Sequence, residues 1–263
     1  MIITDASTID FSKYRRLFVF GCSFTQYRWP TWADIIAKDN PHLEYINTAS
    51  SGAGNMYIFN QLSQHITHYD INSDDLVMIM WSSFYREDRY IEHGWKTPGN
   101  IYTQGDYSEE FVTKYCCPRG MTIRDLGLVD MATRVLLNAE FDCVQNFSVP
   151  YDLQLHYSGQ LAELEQELRL TELYDMYKHL PDHMMPSLMD MFPEGWVMEY
   201  EYLDHGNMYK DYHPSVLSYS RYLTSIGIEI SKATLAWVLG EHHRMLRAST
   251  VEELHQPSAH QLL

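Results

Sequence analysis

Basic residues are scarce in this chain. Nineteen Lys and Arg stand against 35 Asp and Glu in 263 residues, a formal charge of −16. A nucleic-acid surface needs a stripe of Lys and Arg, and no cluster exists beyond Arg15-Arg16, so nucleic acid is not an expected partner. Long apolar runs are also missing. The longest, around Leu76 to Trp81, falls far short of the ~20 residues that cross a bilayer. Residues 1–16 carry Asp5 and Asp10 and no apolar core, so no secretory signal is read and a soluble, cytoplasmic protein is expected. Cysteine is sparse as well: Cys22, Cys116, Cys117 and Cys143 form no CxxC pair, and a bridge between the adjacent Cys116 and Cys117 would be strained. Reduced thiols are the expectation.

Several cofactor signatures are absent. There is no HExxH, and His242-His243 sits on a predicted helix, where neighbouring residues point apart. His65, His68, His179, His183, His242 and His243 are therefore read as surface or core residues rather than metal ligands. The pair Gly52-x-Gly54 lacks the third glycine of a dinucleotide loop, and no Lys follows to make a Walker loop, which excludes NAD and ATP.

What remains is apolar (45%) and ordered in a recognisable rhythm. Arg16 to Phe20, Tyr45 to Ala49 and Asp75 to Trp81 read as strands, the last a continuous apolar run suited to burial on both faces. A helix opening at Pro30, with Trp32, Ile35 and Ile36 on one face, and a second over Met56 to Tyr69 lie between them. Strand and helix alternating at this spacing predict an α/β fold with a parallel sheet, whose functional loops follow the strand C-termini. The stretch 85–120 has no clean period and is expected as long loops. Leu126 to Asn138 reads as a helix and Cys143 to Val149 as a fourth strand ended by Pro150. Leu161, Leu164, Leu168, Leu173, Tyr174 and Tyr177 predict an amphipathic helix, a packed wall or a lid over the site, followed by a methionine-rich stretch. Two helices, one opening at Pro214 and one after Ser231, complete a single domain over 1–247, with insertions at about 85–120 and 156–196. A loose polar tail is expected over 248–263.

Three motifs carry chemistry. Gly21-Cys22-Ser23-Phe24-Thr25 follows the first strand and brings a hydroxyl to the substrate edge of the sheet. Ser51-Gly52-Ala53-Gly54-Asn55 follows the second, where glycines let backbone N–H groups approach an oxyanion closely. Asp211-Tyr212-His213-Pro214 lies near the C-terminus. In extended chain, residues i and i+2 project to the same side at about 6.5–7 Å, so the Asp211 carboxylate can reach the near nitrogen of His213.

The order of these blocks resembles that of the SGNH hydrolases, the GDSL esterase and lipase superfamily. Phe18 to Thr25 resembles the nucleophile block, Ile46 to Gly54 the block with the oxyanion glycine, Asp75 to Ser83 the third strand block, and Asp211 to Pro214 the catalytic Asp-His block. The wording of GCSFT, WSS and DYHPS is similar to divergent members from tailed bacterial viruses, which would permit a virion-associated role. The resemblance implies a three-layer α/β/α sandwich with a flavodoxin-like parallel sheet and a helical or loop insertion. It also implies a Ser23 nucleophile, a His213 base and an oxyanion hole from the Ser23 and Gly52 N–H groups, with no metal or organic cofactor. The expected substrate is a small acyl ester, such as an O-acetyl group on carbohydrate, with Tyr85, Tyr90, Trp95 and Tyr102 read either as stacking surfaces for sugar or as core and loop packing.

The chain departs from the family at three points. Cys22 replaces the signature Asp, and Trp81-Ser82-Ser83 lacks the family's Asn after the third strand, leaving Ser82, Ser83 or Asn55 as the remaining oxyanion donors. One residue rather than two separates Asp from His, with Lys210 at the usual Asp position, so Asp211, Asp204 or a backbone carbonyl is left to orient His213. Two other activities fit the same residues: a non-catalytic carbohydrate-binding or virion assembly protein, and an O-acyltransferase using the Ser-His pair.

Overall fold

The computed structural model describes residues 1–102, 106–149, 172–173, 175–192 and 200–254. Its centre is a five-stranded, all-parallel sheet of β1 (Ile2–Ile3), β2 (Arg16–Phe20), β3 (Glu44–Asn47), β4 (Asp75–Trp81) and β7 (Asp142–Phe147), in the order β1-β7-β4-β2-β3. Read from β3, the four longer strands follow the flavodoxin-like order 2-1-3-4. The two-residue β1 occupies the fifth place beside β7.

The sheet is buried on both sides, and successive residues of its strands turn to opposite cores. Leu17 and Val19 of β2 and Leu76, Met78 and Met80 of β4 face one core. It is completed by α1 (Trp32–Asp39), α5 (Val216–Ser225) and α6 (Lys232–Arg247). Phe18, Phe20, Val77, Ile79 and Trp81 face the other, against α2 (Asn55–His68) and α4 (Pro118–Leu137). Helices on both faces of a parallel sheet make a three-layer α/β/α sandwich. At the N-terminal edge, Arg16 grips the fully buried Asp75 in two-point fashion, Nε–Oδ1 2.7 Å and Nη2–Oδ2 2.6 Å, which ties β2 to β4.

Several expectations change. α1 begins at Trp32 with Thr31 as its cap and Asp34 returning to the Thr31 N–H at 2.8 Å, so Pro30 precedes the cap rather than opening the helix. The stretch 85–120 is not all loop. It forms the hairpin β5 (Arg89–Ile91) and β6 (Gly94–Lys96), then α3 (Glu109–Tyr115) and the first turn of α4, where Cys117 is the cap and Pro118 the first helical residue. The period was hidden because the core-facing stripe of α4 includes the polar Thr122 and Asp125, both fully buried.

Nor is the tail loose at its start. α7 (Val251–Leu254) follows a backbone bond from Leu203 to Ser249, and Leu254 is buried in the first core. Met184 and Met185 are buried and act as core filler. The predicted helix over Leu161 to Leu168, Tyr174 and the strand-ending Pro150 lie outside the described residues, as do most of the 156–196 insertion and 255–263. Within the predicted helix, Leu173 is buried in the second core, with Tyr177 packed against it.

Candidate active site

All five strands of the sheet run the same way, so the loops after β2, β3 and β4 meet at one edge. The strand order reverses between β2 and β4, which is where open parallel sheets bind ligands. The turn after β2 is tight: Thr25 and Gln26 N–H both donate to the Cys22 carbonyl, at 2.9 and 3.1 Å. Gly21 is required there, since a Cβ would lie 2.1 Å from Thr25 Oγ1. This turn carries Ser23, which is 5% exposed, while Cys22 is buried beneath it.

Asp211 ends a second hairpin, β8 (Tyr200–Asp204) and β9 (Asn207–Asp211), which the sequence reading did not include. Its two-residue turn has His205 at φ +48° and Gly206 at φ +83°, the left-handed pair of a type I′ turn. Two residues beyond β9, His213 places Nδ1 2.7 Å and its backbone N–H 2.9 Å from Asp211 Oδ1. Asp211 is 1% exposed. Burial works to raise its pKa, but the hydrogen bonds and charge of His213, with the Tyr27 hydroxyl, hold it below the ordinary carboxylate value. The other oxygen, Oδ2, accepts from Tyr27 and from Tyr202 at 3.1 Å.

The imidazole is wedged against the Ser23 turn. Its ring stacks on Tyr27 with centroids 3.7 Å apart and meets Phe24, the neighbour of Ser23, edge to face at 5.5 Å. The residues from the two ends of the chain therefore share one edge of the sheet. Asp204 does not reach His213. It pairs instead with Arg28 at 3.6 Å, and Lys210 pairs with Glu201 at 3.4 Å.

The glycine loop is built by the β5–β6 hairpin. Gly52 has φ +76°, and a Cβ there would lie 2.1 Å from the Thr97 carbonyl, while the Thr97 hydroxyl donates to Ser51 O at 2.9 Å. Among the described residues, the N–H groups of Ser23 and Gly52 donate to no protein acceptor. Gly54 is different, because its N–H is taken internally by Asp88, at 2.8 and 3.1 Å from the two carboxylate oxygens.

The candidate third donors fare unequally. Asn55 is fully buried, its amide bonded both ways to the Ser82 backbone at 2.8 and 3.1 Å, an internal brace between α2 and the end of β4. Among the described residues, the Ser82 hydroxyl is enclosed without a hydrogen-bond partner. Ser83 is 6% exposed and accepts from Arg86 Nε at 3.3 Å; Arg86 also donates to Ala53 O at 3.0 Å. Tyr27, Asp88, Arg86 and Thr97 were missed from sequence, since no spacing rule ties them to the motifs they support.

Of the aromatic residues read as sugar-stacking or packing groups, Tyr85 is buried and packs in the core. Tyr102 donates to Cys116 O at 2.7 Å, and Tyr90 is exposed beside the half-buried Trp95. All four cysteines are free thiols. Among the described residues no group of three or more His, Cys, Asp or Glu could hold a metal ion, and no helix is long and apolar enough to cross a membrane.

No protein-family model matches the chain, and no curated protein sequence matches it either. Among solved structures, protein YxiM from Bacillus subtilis is similar over 51% of this chain and 32% of its own, with 14% identity and a TM-score of 0.33. The matched region thus spans about a third of that protein. The α/β/α architecture stands on the strand order and the two-sided core described above.

Proposed function

We propose that this protein is a serine-dependent hydrolase of small acyl esters, with Ser23 as nucleophile, His213 as general base and Asp211 as its orienting carboxylate. One observation carries the reading: the Asp211-bound imidazole of His213 packs against Phe24, on the turn that presents Ser23. A serine hydroxyl is a weak nucleophile at neutral pH and needs such a base beside it. In this scheme Ser23 Oγ attacks the acyl carbonyl as its proton passes to His213 Nε2. Asp211 stabilises the imidazolium through Nδ1–H without itself being protonated. The oxyanion meets the unengaged N–H groups of Ser23 and Gly52. The alcohol leaves with the proton from Nε2, and water, activated by the same nitrogen, releases the acid.

An acetyl ester on carbohydrate suits the rim beside the Gly52 loop. There Tyr90 and Trp95 lie edge to face at 5.7 Å on the hairpin that Thr97 fastens to Ser51.

A specific observation favours a second reading, a carbohydrate-binding or virion assembly protein of the same fold. Asn55 is committed to Ser82, and the Ser82 hydroxyl is enclosed. Losing one oxyanion donor costs about 2.7–4 kcal/mol of barrier stabilisation.

Incubation with 4-nitrophenyl acetate and with a fluorophosphonate probe, beside Ser23→Ala and His213→Ala, separates the two. Hydrolase chemistry gives turnover and labelling that both variants lose. Equal, slow turnover by all three proteins supports the binding protein and defeats the enzyme.

A further inference from the structure

Tyr27 touches both partners of the His213–Asp211 pair, and no motif includes it. Its ring lies 3.7 Å from the imidazole with only 17° between the planes. Its hydroxyl donates to Asp211 Oδ2, the oxygen that His213 leaves free. Burial and the adjacent Asp211 charge push the Tyr27 phenol well above its usual range, so it is a permanent donor. The tyrosine is fixed in turn. Trp29 packs on it edge to face at 4.7 Å, and the Arg28 guanidinium lies 5.9 Å from its centroid. Arg28 also donates to the Tyr202 hydroxyl, which itself donates to Asp211 Oδ2 at 3.1 Å, and pairs with Asp204 at 3.6 Å.

We infer that Tyr27 is a positioning residue for His213: the stack fixes the plane of the imidazole while the hydroxyl fixes the carboxylate that sets its tautomer. The inference rests on the reading of His213 as the base. The physical need is specific. His213 and Asp211 are only two residues apart, just beyond the end of a hairpin, and a single Nδ1–H bond to the carboxylate does not by itself fix the plane of the ring. A flat partner at van der Waals distance supplies that restraint. Tyr27 is suited to the task because it stands on the same turn as Ser23, four residues on. It therefore aligns the base with the element that carries the nucleophile, and small misplacements of reacting groups are costly in rate.

The two contributions separate by substitution. Tyr27→Phe keeps the ring and deletes the bond to Asp211, whereas Tyr27→Leu deletes both. The first readout is the Nδ1–H proton of His213 by NMR, which does not depend on turnover. In the wild type it is expected downfield and protected from exchange. In Tyr27→Phe it stays visible and moves further downfield, because Asp211 Oδ2 loses a donor and its charge falls more strongly on Nδ1–H. In Tyr27→Leu it broadens away. The second readout is 4-nitrophenyl acetate hydrolysis. kcat is expected to fall about 10-fold or more in Tyr27→Leu with KM within about twofold, and to recover most of the loss in Tyr27→Phe. Thermal melts of both variants confirm that they are folded.

A wild-type Nδ1–H signal and wild-type kcat in Tyr27→Leu would overturn the inference. If the wild type shows no turnover while the Nδ1–H signal responds as described, the hydrolase reading fails and the hold of Tyr27 on the imidazole stands.

Discussion

Asp88 closes on the backbone nitrogen of Gly54, its two oxygens 2.8 and 3.1 Å away, and its Oδ2 also takes the Tyr57 N–H at 2.9 Å. A carboxylate of the protein's own thus caps the first turn of α2, where the sequence suggested a place for a ligand's negative charge. Burial raises the Asp88 pKa, against the hydrogen bonds from Tyr57 and Gly54 that lower it. Asp88→Ala leaves those N–H groups unpaired and is expected to lower stability by about 1–2 kcal/mol in urea unfolding. Gly54→Ala acts on the same contact, since its Cβ would lie 2.6 Å from Arg86 Cβ and 2.8 Å from Asp88 Oδ2. The pair should therefore be strongly non-additive in a double-mutant cycle.

Two aspartates compete on paper for His213, and the geometry separates them. Asp211→Asn is expected to reduce kcat by up to about 10⁴-fold, because an amide that offers N–H toward Nδ1 favours the wrong tautomer. Among the described residues, Asp204→Asn touches the 3.6 Å pair with Arg28 and the exposed His205. It should leave kcat within about threefold of wild type. Steady-state kinetics on the two variants is the check, and equal losses would remove Asp211 from its role.

Gly52→Ala tests the oxyanion loop. The position combines φ +76° with a Thr97 carbonyl 2.1 Å from where a Cβ would sit. The left-handed backbone costs about 1–2 kcal/mol for alanine, and the clash must also push the β5–β6 hairpin away. Both a lower melting temperature and a kcat loss are expected. A stable variant with unchanged kcat would show that the Gly52 N–H is not a donor in the reaction.

Asp125 sets a pH dependence of stability. It is fully buried, and among the described residues its Oδ2 has no hydrogen-bond partner, so burial lifts its pKa from 3.8 to about 6, against the pull of Arg124. The native state therefore holds this proton to higher pH than the unfolded chain does. Stability tied to the group is complete below the ordinary value of 3.8, falls as pH rises through about 6, and is level above it. Asp125→Asn should match the wild type near pH 4 and exceed it by about 3 kcal/mol at pH 8. Melting curves at the two pH values test the sign.

The central sheet was legible because burial on both faces writes itself as an apolar run. Arg16–Phe20 and Asp75–Trp81 fall where the residues put them, and Ser231 caps α6 as its position suggests. The turns after β2 and β3 were legible as turns for a related reason: glycine and serine cluster directly after each strand. The supporting shell was not. Thr97 and Asp88 reach the glycine loop from 34 or more residues away, through contacts that leave no period. The β8–β9 hairpin did carry a signal, Asp204-His205-Gly206-Asn207 between alternating tyrosines. It was overlooked beside the prolines and methionines that dominate its neighbourhood.

The backbone bond from Leu203 to Ser249, and the burial of Leu254, mean that the hairpin delivering Asp211 leans on the far side of the chain. A chain shortened to end at Ala248, or one with a bulky affinity handle grafted directly at that point, would strip the prop from behind β8. The damage would surface far away, as an Asp211–His213 pair out of alignment. Assays of this protein are therefore best run with residues 249–254 intact and any purification handle placed elsewhere.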